Sequence, residues 1–171
     1  AGEYVIVDMT AGADSFASGL FTRFDVTFCV CEPTVRGVAV HRQYTGYARD
    51  HGVTVHAVGN KVADLSDVDF LRTELGTEPL TTIGMSAFVR AAERGQVLPI
   101  EVLEPATRHA LDVLTAAADA APRDWPRYSR QAADFHLRNA AAWANERTGA
   151  DLAAQVDPDF VLGPAALAGA S

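Results

Sequence analysis

Lysine is nearly missing from this sequence. Lys61 stands alone against thirteen arginines, and the formal net charge is −8. A surface so short of positive charge argues against nucleic acid as the main partner, since phosphate backbones are bound by basic faces. Cysteine is scarce as well. Cys29 and Cys31 are the two present, one residue apart, and a disulfide scaffold needs more of them, more widely spaced. No apolar run approaches the roughly 18 residues that suggest a membrane span, and the chain opens directly into a strand-like run with no signal-peptide pattern. These absences point to a cytoplasmic protein. His41, His51, His56, His109 and His136 lack the i, i+4 spacing of a helical metal pair. No Gly-x-Ser-x-Gly elbow is present either, so metal-dependent and serine hydrolases have no signature here.

What is present suits a packed domain. The chain has 171 residues, 49% of them hydrophobic and 21% charged, about the size of one domain and ordinary in charge content. The first hundred residues alternate strand and helix patterns. Residues 4–7 (Tyr-Val-Ile-Val) form a β-branched run ending at Asp8, and residues 15–21 suit a short helix. Residues 26–31 (Val-Thr-Phe-Cys-Val-Cys) form a near-continuous apolar run, as a buried parallel strand does. Both cysteines lie within it, which gives them a core role. Thr34 is placed to cap a helix over residues 35–50 with Gly52 at its end, and residues 53–58 read as a strand broken by Gly59 and Asn60. Ser66 is placed to cap a helix over residues 67–75, closed by Gly76; residues 80–83 form a further strand; Ser86 caps a helix to about Arg94, closed by Gly95. The expected fold is α/β, a parallel sheet flanked by helices, over residues 1–100. Asp8, Glu32, Asn60 and Gly84 each follow a strand and are expected at its carboxyl edge, where such sheets bind ligands.

Beyond Gln96 the pattern becomes helical. Pro105 suits the first position of a helix that Pro122 ends, and a second helix is expected over residues 125–147, with Trp125, Tyr128, Ala132, Phe135 and Trp143 on one face. That face packs on the domain or meets a partner. Residues 101–148 thus read as a helical extension and residues 149–171 as an irregular tail.

Three segments carry chemistry. The run Val5-Ile6-Val7-Asp8-Met9-Thr10-Ala11-Gly12-Ala13-Asp14 places a carboxylate at a strand end before a small-residue turn, the plan by which a Walker B aspartate holds Mg2+ through water beside nucleotide phosphates. The run Val58-Gly59-Asn60-Lys61-Val62 ends a strand in an amide that can donate to and accept from a purine edge. The third runs from Pro79 through Gly84, Met85 and Ser86 to Gly95. In order and spacing they resemble the MinD/ParA-type P-loop ATPases, nearest in texture to the carbon monoxide dehydrogenase maturation factor branch. The resemblance implies ATP and Mg2+ as ligands. Asp8 would be the Mg-side, catalytic carboxylate, with Thr10, Ala11 and Gly12 as the switch turn. Asn60 and Lys61 would lie at the base, with the turn at Gly84 and Met85 passing over it. Four departures stand out: Thr10 replaces the Glu of that branch, Asp14 a common Glu, Gly84 a common Pro, and Ala63 the aspartate by which GTPases grip guanine. Asp64 comes one residue too late for that last role, which argues for adenine. The family's metal-binding Cys-x-Cys lies in a region with no counterpart here, so it is not assigned to Cys29 and Cys31.

The glycine-rich loop and lysine that cradle phosphates, G-x-x-x-x-G-K-[ST], do not occur. The chain is therefore expected to act as the C-terminal half of an ATP-driven switch, completed by an N-terminal half or a second polypeptide. As the resemblance implies, such a switch forms a homodimer and acts on a client protein, in metal-cofactor assembly for example. The alternative is a non-catalytic interaction or scaffold domain derived from the same fold. Without the loop's strand, residues 4–8 and 26–31 are expected to flank an inserted segment or to pair with each other directly.

Overall fold

A computed structural model of the chain describes residues 3–9, 20–139, 145–149, 151 and 154. The chain divides into two compact units, Val26–Ala121 and a second made of Ala1–Asp25 with Pro122–Ser171.

Within Val26–Ala121 the elements are β1 (Thr27–Cys31), α1 (Val35–Asp50), β2 (Val55–Asn60), α2 (Leu65–Leu75), β3 (Thr81–Ile83), α3 (Ala87–Glu93), a 3-10 turn (Ile100–Val102) and α4 (Pro105–Ala120). The three strands pair in parallel in the order β1-β2-β3, with Cys31 opposite Gly59 and Asn60 opposite Ile83. This is the expected α/β architecture. One face of β1 presents Cys29 and Cys31, which cluster with Val38 of α1 and Leu71 of α2; Tyr44, Val55, Val62, Phe70 and Leu75 close around them. Cys31 is fully buried and both cysteines are free thiols. The Cys31 thiol is pushed well above the usual range, by its contact with Cys29 and then by burial. Such a thiol is inert, and the pair fills core volume as the apolar run implied. The opposite face of β1 is less covered, with Val30 61% exposed. Helix α4 packs against β3.

Helix boundaries follow local capping chemistry. Thr34 accepts from the Gly37 amide at the start of α1, and Ser86 caps α3 by accepting from Val89. Pro105 stands at the first turn of α4, where its missing N–H costs nothing. Helix α2 corrects the sequence reading. Its cap is Asp64, not Ser66. The Asp64 carboxylate accepts from the Ser66 and Asp67 amides, while the Asp67 carboxylate reaches back to the Ala63 amide. An ionised carboxylate accepts more strongly than a hydroxyl, so the earlier residue wins.

Strand β2 also differs from expectation: it continues through Gly59 and Asn60 instead of breaking there. Gly59 serves close packing. A Cβ at this position would stand 2.9 Å from Leu71 Cδ1 and 3.0 Å from Thr82 Cγ2, so α2 and β3 close onto the strand where the side chain is missing.

Glu104 ties α4 to α3. It occupies the N-cap position of α4 yet caps none of that helix's amides, and within α4 it accepts only from the Thr107 hydroxyl at 3.5 Å. Its carboxylate instead accepts from the Ser86 hydroxyl at 2.8 Å and from the Ala87 and Phe88 amides at 2.7 and 3.1 Å. With Ser86 serving Val89, the free amides in the first turn of α3 are satisfied. These donors, Ser86 first, pull the Glu104 carboxyl down to about 2.

In the other unit, a 3-10 turn (Leu20–Arg23) packs against α5 (Trp125–Asn139), and α6 spans Asn145–Thr148. Tyr128 is buried, stacked edge-on by Trp125 at 5.6 Å, and its hydroxyl donates to Asp25. Part of the aromatic face of the second helix therefore packs internally. The side chains of Phe135 and Trp143 lie outside the described residues, as do the bridge between α5 and α6 and most of the helix expected over residues 15–21.

The expected strand over residues 4–8 is not formed. Residues 3–9 carry no regular secondary structure, with Val5 and Ile6 about nine-tenths exposed at 88% and 92%. The sheet contains β1, β2 and β3, so neither direct pairing of residues 4–8 with β1 nor an inserted strand beside it occurs among the described residues. A β-branched run becomes a strand only when a neighbour completes its backbone hydrogen bonds, and here none does.

Two outcomes follow. Gly59→Ala should destabilise the fold by about 1–3 kcal/mol in urea unfolding, the cost of overpacking a closed site; an unchanged midpoint would mean that α2 and β3 can yield. Because Glu104 is held below its ordinary value, its contribution is present above about pH 4.5 and disappears as the pH falls toward about 2. Glu104→Gln should lower the melting temperature at pH 7, and the gap to wild type should narrow across that window. A gap independent of pH would assign the acid transition to another carboxylate.

Candidate functional site at the carboxyl edge of the sheet

Parallel pairing brings the ends of three strands to one edge. β1 ends at Cys31 and hands over to Glu32, β2 ends at Asn60 and hands over to Lys61, and β3 ends at Ile83 and hands over to Gly84. Because Asn60 is in register with Ile83, the Asn60–Lys61 and Gly84–Met85 segments leave the sheet side by side.

Asn60 is half-buried, and its carboxamide has no hydrogen-bond partner among the described residues. A structural role at a left-handed turn does not fall to it, because Asn60 lies inside the strand. The left-handed residue is Lys61, at φ 57°. A non-glycine residue in that region is uncommon and is held by its surroundings. Here the hold comes from the Val62 amide, which donates to the Ile83 carbonyl at 3.1 Å, and from the Lys61 ammonium, which meets Glu32 Oε1 at 2.5 Å. The Glu32 carboxylate raises the Lys61 ammonium above its ordinary value, so the lysine is cationic at neutral pH. The pair is exposed on both sides and spans the ends of β1 and β2.

Gly84 keeps the outgoing chain close to its neighbour. A Cβ there would lie 3.3 Å from the Val62 carbonyl oxygen. Met85 is more than half exposed, and Ser86 then opens α3, anchored by Glu104. The exposed turn is thus fixed at both ends, by Ile83 in the sheet and by Ser86 in the cap.

Asp64 has no part in this edge chemistry. Its carboxylate receives two backbone amides and the Ser66 hydroxyl, and that demand, led by the hydroxyl, lowers its pKa. It is occupied with starting α2.

Asp8 lies on the irregular segment of residues 3–9, with its side chain exposed. Thr10, Ala11, Gly12 and Asp14 fall outside the described residues. Among the described residues, no group of three or more His, Cys, Asp or Glu side chains could hold a metal ion, and no helix is long and apolar enough to cross a membrane. Two participants had escaped the sequence reading. The Glu32–Lys61 pair was half legible, since Glu32 was expected on the same edge. Glu104 gave no local signal, because its partners lie 16 to 18 residues away.

The chain is 32% identical over 117 residues to the carbon monoxide dehydrogenase accessory protein CooC of Rhodospirillum rubrum, an alignment that covers 67% of this chain and 44% of that protein. The chain therefore spans less than half the length of this curated relative. No family model and no solved structure matches it. Over two thirds of its own length, the chain is similar to an accessory protein of carbon monoxide dehydrogenase.

Proposed function

We propose that the chain contributes the base-binding half of a MinD/ParA-like switch, a P-loop ATPase that binds Mg-ATP and acts in metal-cofactor assembly. The observation that carries this reading is the unpartnered carboxamide of Asn60 at the carboxyl edge of a parallel sheet, with the Gly84–Met85 turn leaving the sheet beside it. A half-buried amide that no described protein group engages is free to bond a ligand, and a purine edge offers the complementary donor and acceptor. The occupation of Asp64 in a helix cap, with Ala63 beside it, removes the carboxylate that would select guanine, which favours adenine. Similarity to CooC supports an accessory role of the same kind toward a metal enzyme.

The residues fit the base side of the nucleotide better than its phosphate side. Asn60 would bind the base, Lys61 would stand beside it, and Gly84 and Met85 would cover it. When bound, ATP supplies the phosphoryl bond whose cleavage drives the switch. Asp8 would hold Mg2+ through water, and Thr10, Ala11 and Gly12 would sense the phosphate. The cradle for the phosphates has no candidate in the sequence, so in this reading a segment carrying G-x-x-x-x-G-K-[ST] completes the site. The strand missing over residues 4–8 is consistent with that need, because pairing with such a segment would give residues 4–8 a neighbour. Dimerisation and a client protein belong to the same reading.

The irregular state of residues 3–9 favours a second reading, a non-catalytic interaction domain that keeps the fold without the activity. Nucleotide binding separates the two. In the chain joined to a segment that carries the glycine-rich loop, Asp8→Asn should abolish ATP hydrolysis and leave the melting temperature within about 3 °C, since an exposed side chain costs little to replace. Wild-type turnover in that variant would remove Asp8 from the mechanism. Asn60→Ala should weaken ATP binding by about 1–3 kcal/mol, and the unmodified protein should prefer ATP to GTP. Equal affinity for the two nucleotides would contradict the adenine assignment.

A further inference from the structure

At the amino end of the sheet, opposite the edge described above, the strands are staggered. β2 starts at Val55, but β3 joins it only at Val58, paired with Thr81. The step leaves a cavity of roughly 420 Å3, roofed by α1 and walled by the chain between α2 and β3. It is a half-open depression whose volume falls in the range of small-molecule sites. Val58 and Gly59 separate its nearest lining residue on β2, Ala57, from Asn60, about 10 Å at the rise of a strand, so the cavity lies toward the opposite end of the strand from the carboxyl edge.

Its lining has two characters. Val55, Leu75 and Leu80 supply apolar surface. His41 and Arg49 of α1 supply polar groups. His41 is only 5% exposed and lies on the face of α1 that carries Val38 and Ala48, both buried. Its ring has no hydrogen-bond partner among the described residues. Burial without a partner holds the imidazole pKa below its ordinary value. Neither ring nitrogen is among the described buried atoms that lack a partner, so the polar edge of the ring opens on the cavity, where a ligand can meet it. The other charges at the cavity are already matched. Arg42 donates to the Glu74 carbonyl and carboxylate, and Glu78 accepts from Arg72. Arg49 has no ion-pair partner among the described residues. The cavity therefore offers the Arg49 guanidinium and the imidazoles of His41 and His56 beside the apolar surface of Val55, Leu75 and Leu80.

We propose that this cavity binds a small carboxylic acid with an apolar body, its carboxylate held by Arg49 and His41 and its body resting on Val55, Leu75 and Leu80. An inorganic anion would leave the apolar floor unused, and a neutral apolar molecule would leave both polar groups unmatched.

Sodium benzoate is a suitable probe, followed through the His41 ring resonances by NMR on the full 171-residue chain. Acetate tests the charge without the body, and benzyl alcohol the body without the charge. The expected result is a saturable shift at His41 with benzoate, and affinities at least tenfold weaker for acetate and benzyl alcohol. Arg49→Gln should weaken benzoate at least tenfold with the circular dichroism spectrum unchanged. Arg49 is exposed, so this variant tests the site even if replacing the buried His41 prevents folding. The absence of a saturable His41 shift, a loss below tenfold in Arg49→Gln, or either control binding within tenfold of benzoate would overturn the proposal.

Discussion

The close seating of α2 and β3 on Gly59 sets the geometry of the sheet's carboxyl edge. Where β2 has no side chain, Leu71 and Thr82 move in, and Leu71 joins Cys29, Cys31 and Val38 in the central cluster. That packing fixes the height of β2 between its neighbours, and the parallel register then carries the alignment outward to Glu32, Asn60 and Ile83. The core and the candidate site thus share one constraint, because Gly59 immediately precedes Asn60. A side chain at Gly59 would disturb the packing below and the aligned strand ends above.

Beyond the strand ends the chain is held by polar contacts. Lys61 turns the backbone in a left-handed conformation and meets Glu32. The Val62 amide ties the outgoing chain to β3, and Glu104 with Ser86 fixes the first turn of α3. Asn60 stands inside this frame with its own amide uncommitted. A rigid surround with one open hydrogen-bonding group is the arrangement that a recognition site requires, since the cost of ordering is met before a ligand arrives.

Much of this was legible in the sequence wherever the cause is local. Thr34, Ser86 and Pro105 announce their helices through capping chemistry, and the apolar run ending at Cys31 reads as a buried strand. The errors share one cause, which is that the deciding partner is distant or ambiguous. Asp64 and Ser66 can both cap a helix, and the choice depends on carboxylate strength and on the return bond from Asp67. Gly59 looks like a strand breaker until α2 is seen to pack on it. Residues 4–7 have the composition of a strand, but composition supplies no neighbour with which to pair. Glu104 is invisible for the same reason, since its role is to stabilise a helix in another part of the chain. The residues proposed at the base lie in one frame because strand register is local, whereas Thr10, Ala11 and Gly12 lie outside the described residues.

The central claim is that the carboxyl edge receives an adenine base between Asn60–Lys61 and Gly84–Met85. Photolabelling with 8-azido-ATP, in the presence of Mg2+ and with the chain joined to a segment bearing the glycine-rich loop, tests it directly. The account predicts covalent label on peptides containing Asn60–Lys61 or Gly84–Ser86, and loss of that label when unmodified ATP competes. Label confined to other peptides, or label that ATP does not displace, would contradict it.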